Sequence, residues 1–418
     1  MYNINGKQVE VWGNMVVGNE DISILAKCLD SICPVVDVML VGFNGSDKQI
    51  PELFSKYANV KWFAQKWEGD IVKCRREVFD KTPSGVLLLW IDSDDTIIHT
   101  ENIKEFSEEV FVHKEINGWM CQWHYARNSL GQIVGDLWRE RMVWKDRYHW
   151  TDDRVHQVLE TDETDSICIM NEEVKIEHLA TIEKIRMSAI RNVNIIQKEY
   201  NEGRINGTLR GKTVFDLARS LQGVQNYEKA LKLYREYIER PDTIDLEKAI
   251  AYTMMGDLYR STGDFVKAKD CAMKVISLNP DIPDGYVDMA SALYGEGRNR
   301  EAVAFFELSF KFPPCKNFPI NPTKYTTVPL RILAFAYFDL GKVKEAMACA
   351  IEILKKNPDN LAMLEMLREC RKINNEIRIM DNIIELKEAV EYDPVKLKSL
   401  VGGLPDFAYR HPSIKAVK

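Results

Sequence analysis

One stretch, Val86-Leu-Leu-Leu-Trp-Ile-Asp-Ser-Asp-Asp95, constrains the fold of this chain more than any other. Five apolar residues and a Trp run without interruption, which suits a strand buried on both faces of a parallel sheet. Asp92, Asp94 and Asp95 then arrive within four residues, at what would be the carboxyl end of that strand. Open α/β sheets bind their ligands outside that end. Two carboxylates ~4 Å apart repel by about 4 kcal/mol at an effective dielectric of 20. A hard divalent cation carrying a diphosphate is one way to relieve that repulsion. The other is plainer: Asp94 or Asp95 caps a following helix, and Thr100-Glu-Asn-Ile reads as a helix start.

The flanking segments alternate strand and helix. Val9 to Val17 reads as a first strand, ending at Gly18-Asn19-Glu20, and residues 21–32 carry apolar side chains at helical spacing. A second strand runs from Val35 to Val41 into the Gly- and Asn-rich turn Gly42-Phe43-Asn-Gly-Ser-Asp47, and a third covers Val60 to Ala64. A helix with Asp70, Arg75 and Arg76 leads to the acidic strand. This order predicts a doubly wound α/β sheet with a nucleotide at its strand ends. Neither GxGxxG nor GxxxxGK[ST] occurs, which argues against a dinucleotide fold and a P-loop.

Met15-Val-Val-Gly-Asn-Glu20, Cys28-Leu-Asp-Ser-Ile32, Asp70-Ile-Val-Lys-Cys-Arg-Arg76 and Ile91-Asp-Ser-Asp-Asp95 follow one another in an order that resembles the nucleotide-sugar half of family-2 glycosyltransferases of the GT-A fold. The resemblance covers roughly residues 10–180, and the Asp-x-Asp element is its most specific part. It implies a nucleotide-diphosphate sugar as donor, a UDP-sugar in the first instance, and Mn²⁺ or Mg²⁺ on the diphosphate held by Asp94 and Asp92. Val17, Asn19, Glu20, Asp70, Arg75 and Ser93 fall at positions that flank the donor. Phe43 stands where an Asp commonly meets the base or ribose, with Asp47 as a substitute, and Arg76 stands where Asn is usual. His178, after the last strand, matches a His that completes the metal site or contacts the diphosphate. In Trp150-Thr-Asp-Asp-Arg-Val-His-Gln157, His156 matches the family's His, whereas Gln157 replaces the acid beside it. An amide cannot accept a proton, so Asp153 or Asp152 is the candidate base toward the acceptor. Both Asp residues also fit a turn paired with Arg154. Trp150 is the best placed of seven large rings between Trp119 and Trp150 to stack on a sugar, although such rings mostly supply core area.

Beyond a long helix from Ile182 to Glu202 and a linker at Asn201–Gly207, the chain repeats. Gly256, Tyr259, Gly263, Ala268 and Pro280 recur 34 residues on as Ala290, Leu293, Gly297, Ala302 and Pro314, and 44 further on as Ala334, Tyr337, Gly341, Ala346 and Pro358. A looser copy precedes them at Ala218, Leu221, Tyr227, Ala230 and Tyr234. Small residues at these spacings let paired helices approach, which is the tetratricopeptide (TPR) pattern. The 10 extra residues of the third step lie in the Pro-rich Pro313–Pro322.

The expected architecture is therefore an α/β, Rossmann-like GT-A domain over 1–200, an all-α TPR solenoid over 208–375, and a helical segment with a basic tail over 376–418. A solenoid offers a concave surface suited to a macromolecular acceptor. A polypeptide is the first such acceptor, a hydroxymethylated base in DNA the second, and a glycan the third. The array would otherwise serve stability or a homodimer. The net charge of −7 argues against a chain that coats nucleic acid non-specifically. Nine cysteines without CxxC pairing read as reduced cytoplasmic thiols, and no apolar run or leader pattern reads as a membrane anchor or signal peptide. The rival from another class is a non-catalytic TPR scaffold carrying a decayed transferase domain.

Overall fold

A computed structural model describes residues 1–128, 131–155, 157–179, 182–313 and 321–373. The chain divides into two compact units, Met1–Asn226 and the part from Tyr227 onward.

The first unit opens with a hairpin, β1 (Tyr2–Ile4) and β2 (Lys7–Val9). There follow β3 (Val11–Val17), α1 (Ile22–Ile32), β4 (Val38–Phe43), α2 (Gln49–Phe54), β5 (Val60–Ala64), α3 (Ile71–Lys81) and β6 (Leu87–Trp90). The second half holds β7 (Asp95–Ile98), α4 (Ile103–Val110), β8 (Ile116–Arg127), β9 (Ile133–Trp144), β10 (His149–Trp150), β11 (Leu159–Glu160) and β12 (Ile167–His178). Two helices, α5 (Ile182–Asn206) and α6 (Gly211–Gly223), end the unit.

Eight strands form one sheet in the order β5-β4-β3-β6-β9-β8-β12-β7. β5, β4, β3 and β6 are parallel neighbours, β9 runs antiparallel to both β6 and β8, and β7 is antiparallel to β12. The sheet is thus mixed rather than wholly parallel, because β8 and β9 are joined directly and must run in opposite directions. β6 is buried throughout, as its unbroken apolar run requires. Leu87 and Leu89 join the cluster with Val11, Met15, Leu25 and Ile32, while Leu88 and Trp90 join Phe79, Val143 and Trp150. The two sets alternate, so each face of β6 lies against a different core.

Caps fix the helix starts. Asp21 accepts from the Ser23 and Ile24 amides at α1, and Asp70 accepts from those of Val72 and Lys73 at α3. The segment 201–207, expected as a linker, is instead the last turns of α5, and Gly207 stops the helix at φ 70°.

The second unit is helical: α7 (Tyr227–Ile238), α8 (Asp245–Ser261), α9 (Phe265–Leu278), α10 (Pro283–Gly295), α11 (Asn299–Ser309), α12 (Thr327–Asp339), α13 (Val343–Lys356) and α14 (Leu361–Ile373). Ala268, Ala290, Ala302, Ala334 and Ala346 are all buried, as close helix approach demands. Gly263, Gly297 and Gly341 close the first helix of successive pairs at φ 78°, 77° and 72°. At each, the next amide reaches back to Tyr259, Leu293 or Tyr337 respectively, the six-to-one bond of a Schellman motif. The repeat in the sequence is therefore a repeat of one turn geometry. Among the described residues, no helix is long and apolar enough to cross a membrane. The segment 376–418 lies outside the described residues, as does most of the Pro-rich loop.

Candidate metal and anion site

β7 and β12 pair so that His178 lies opposite Asp95, and the Leu179 amide donates to the Asp94 carbonyl at 2.7 Å. This register brings Asp94, Asp95 and His178 together, with one potential ligand atom from each within 4.8 Å of the others. His178 Nδ1 lies 2.8 Å from Asp95 Oδ1 and 3.7 Å from Asp94 Oδ1. Asp95 is wholly buried and takes two further contacts. Trp123 Nε1 donates to Oδ1 at 3.1 Å, and the buried Arg141 reaches Oδ2 at 3.3 Å. Arg141 also stacks over the Trp90 ring at 4.0 Å. Burial pulls the His178 imidazole down, but its hydrogen bond to Asp95 and the charges of Asp95, Asp94 and Asp92 outweigh that and hold it above its ordinary value.

This donor set fits a hard divalent cation. With His178 Nδ1 given to Asp95, Nε2 is the nitrogen left to ligate, the usual carboxylate–histidine–metal arrangement. Asp94 supplies a carboxylate oxygen beside it. Asp92 is differently engaged: its Oδ1 lies 2.5 Å from Arg75 Nη2. Burial pushes the Asp92 carboxyl up, yet Arg75, Arg141 and His178 hold it below the ordinary range. The sequence singled out Asp94 and His178; it offered Asp95 only as a cap and passed over Arg141. The available signal was an arginine, between Glu140 and Met142, in a stretch that also carries Leu137, Trp138, Val143 and Trp144, where an unpaired charge is costly if buried.

The remaining candidates fall into three groups. Arg75 is the hub of the first: Nη1 donates to Gln157 Oε1 at 2.9 Å, and the guanidinium lies 5.4 Å from the Trp90 ring and 5.1 Å from that of Trp150. Trp150 is itself buried edge-on against Trp90. The second group lines the ends of β3 and β4. Asn19 Oδ1 accepts from the Ser46 and Asp47 amides, tying the two loops together, and Asp47 in turn caps Gln49. Gly45 is required there, since a Cβ would sit 2.5 Å from the Gly18 carbonyl oxygen. Val17 and Phe43 are buried, with Phe43 edge-on to Phe54 and Trp62; Glu20 is half-buried, and Ser93 is buried beside Asp94. The third group is the candidate base pair. Asp152 is exposed and pairs with Arg76. Asp153 is buried and pairs with Arg210 and Lys212. Burial raises the Asp153 carboxyl, but Lys212 and Arg210 together hold it low, which makes it a weak proton acceptor. His156 lies outside the described residues.

A tetratricopeptide repeat model matches residues 249–282. Among solved structures, the chain is similar to the pilF protein of Pseudomonas aeruginosa at 17% identity and a TM-score of 0.34, covering 45% of this chain and 81% of that one. It is also similar to a thermophilic TPR protein of Thermus thermophilus, at 15% identity and a TM-score of 0.31, covering 44% and 90%. A third likeness is to YrrB, a TPR protein with an unusual peptide-binding site, at 16% identity and a TM-score of 0.32, covering 43% and 93%.

Proposed function

We propose that this chain is a metal-dependent glycosyltransferase that takes a nucleotide-diphosphate sugar in its first unit and serves a macromolecular acceptor. The reading is carried by one observation: Asp94 and His178 meet at the end of a sheet whose β6 is flanked by parallel β3, with Asp95 orienting the imidazole. A divalent cation bound there would act as a Lewis acid on the departing diphosphate. Asp94 and His178 Nε2 would hold it, Arg75 would keep Asp92 ionised and in place, and the Asn19–Ser46 link would shape the nucleotide's edge of the sheet. A TPR array commonly binds protein partners on its concave face, which favours a polypeptide acceptor; hydroxymethylated DNA is the second class. The test is thermal-shift binding with a panel of nucleoside diphosphates, each with and without Mn²⁺. A ligand that binds only the folded state stabilises it by ~2.7 kcal/mol at a hundredfold excess over Kd. Metal-dependent stabilisation by one nucleotide supports the reading and names the base.

A second reading, a non-catalytic scaffold, draws on a specific contact. Arg141 and His178 already neutralise much of the acidic charge, and both oxygens of Asp95 have partners without any ion. No shift with any nucleotide favours that alternative.

A further inference from the structure

A cavity of about 180 Å³ lies beside the acidic cluster. It is open to solvent on one side, and its inner part has room for about six waters, or one small ring. Its walls are aromatic, from Trp67, Trp90 and Trp123. Among the described residues its charged lining is lopsided: Arg75, Arg139, Arg154 and Arg191 carry positive charge, and Asp92 is the single acidic residue.

Three of the lining side chains also hold a buried donor with no hydrogen-bond partner among the described residues: Trp90 Nε1, Arg139 Nε and Gln157 Nε2. All three are donors. A buried donor left unmade costs about 1–3 kcal/mol, so this corner lacks acceptors rather than donors. Acid partners offset part of this charge: Arg75 pairs with Asp92, Arg139 with Glu140 and Arg154 with Glu202, so four guanidinium groups meet three carboxylates and the exposed Arg191 carries the surplus. Gln157 is central, because an acid at that position would supply the missing acceptor and cancel a charge. Here the amide oxygen accepts from Arg75, and the amide nitrogen, a donor, is what is left over.

We propose that this cavity binds a monosaccharide-sized group that carries an oxyanion, either a phosphate monoester or a carboxylate. The aromatic walls suit a sugar ring, and guanidinium groups suit a planar or tetrahedral oxyanion. Arg75 and Asp92 line the cavity while Asp94 and His178 do not, so it adjoins the proposed metal site, and binding there without any metal is what separates this anion from a metal-bound diphosphate. That it belongs to a substrate rests on the proposed function; the binding itself does not.

The experiment titrates the full chain, in chelator and without divalent metal, with glucose 6-phosphate, glucuronate and glucose, read by calorimetry. We expect one or both anions to bind and glucose to fail. Binding of the phosphate alone names a phosphate monoester; binding of glucuronate alone names a carboxylate. Gln157→Leu should weaken the bound anion about tenfold or more, the size of a hydrogen bond to a charged group. Gln157 is buried, so the exposed Arg191→Gln serves as the second variant and should weaken binding likewise. The proposal is overturned if no anion binds, if glucose binds as well as the anions, or if both folded variants bind as the parent chain does. Anion binding without any nucleotide response to Mn²⁺ would leave the cavity standing and remove the transferase reading. The reverse result would remove the cavity alone.

Discussion

At the scale of single residues, Asp95 decides whether the candidate metal site is shaped at all. It holds His178 by one oxygen and Arg141 by the other. Asp95→Asn keeps the volume but exchanges one oxygen for an amide nitrogen, so the imidazole loses an acceptor on Nδ1. Partners of this kind typically contribute 10–100-fold to metal affinity. Mn²⁺ affinity, measured by electron paramagnetic resonance on the full chain, should fall by about that factor; unchanged affinity would show that Asp95 only packs. Asp94→Asn, by contrast, removes a proposed ligand, and should abolish Mn²⁺-dependent nucleotide binding while leaving the unfolding midpoint near that of the parent. Another buried acid gives a pH signature. Burial, with a smaller push from Asp153 and Glu199, raises the Asp216 carboxyl to about 6, against the pull of Arg219 and Lys212. The folded chain therefore binds a proton more tightly than the unfolded one. The stability this contributes is full below pH 4 and is lost as pH rises through about 6. Urea midpoints should show that fall in the parent, and Asp216→Asn should flatten it.

At the scale of elements, the clearest dependence lies in the second unit. Side chains fasten the short 3-10 turn Pro322–Tyr325 to α8 and α10: Lys324 Nζ reaches Asp288 at 2.8 Å and Asp257 at 3.4 Å, and the Tyr325 hydroxyl donates to Asp284. Lys324 and Asp288 are both buried. Removing one partner of a buried charge pair typically costs about 3–5 kcal/mol, so Lys324→Met should lower the stability of the second unit by that order, measured by urea denaturation. Asp288, already raised to about 7 by burial and by Asp257 and Asp284, would then take up a proton and soften the loss at acid pH. None of this was legible in the sequence, where residues 313–322 read only as a Pro-rich loop. The helix pairs were legible, because their Gly and Ala spacing reports a backbone geometry that every copy must share. β6 was legible for the same kind of reason, since a run without polar residues has no face to turn to water. Arg141 and Asp95 were not, because their pairing depends on β9 entering beside β6, and β7 beside β12, contacts that no local pattern encodes. Gln157 was noticed as a missing acid; that it stands among arginines is a property of the sheet.

At the scale of the whole molecule, each unit carries its own apolar core, one around β3, β4 and β6 and another around α10 to α14. Two cores of this kind need not unfold as one, and a chain of two units commonly departs from two-state behaviour. Calorimetry of the full chain should therefore resolve two transitions, and ligands and mutations should sort between them. A nucleoside diphosphate with Mn²⁺ stabilises only the unit that binds it, so it should raise the transition assigned to the first unit and leave the other in place. Lys324→Met should do the opposite, lowering the second unit's transition with no effect on the nucleotide response. Gly263→Ala belongs with it: the left-handed turn at φ 78° costs a side chain about 1 kcal/mol, a small shift confined to the same transition. If the nucleotide and Lys324→Met move one and the same transition, the assignment of the donor site to the first unit is wrong, whatever the Asp94 variant shows. If they move different ones, the proposed donor site and the helical unit can be altered separately, and candidate acceptors can then be compared in a chain whose first unit is left untouched.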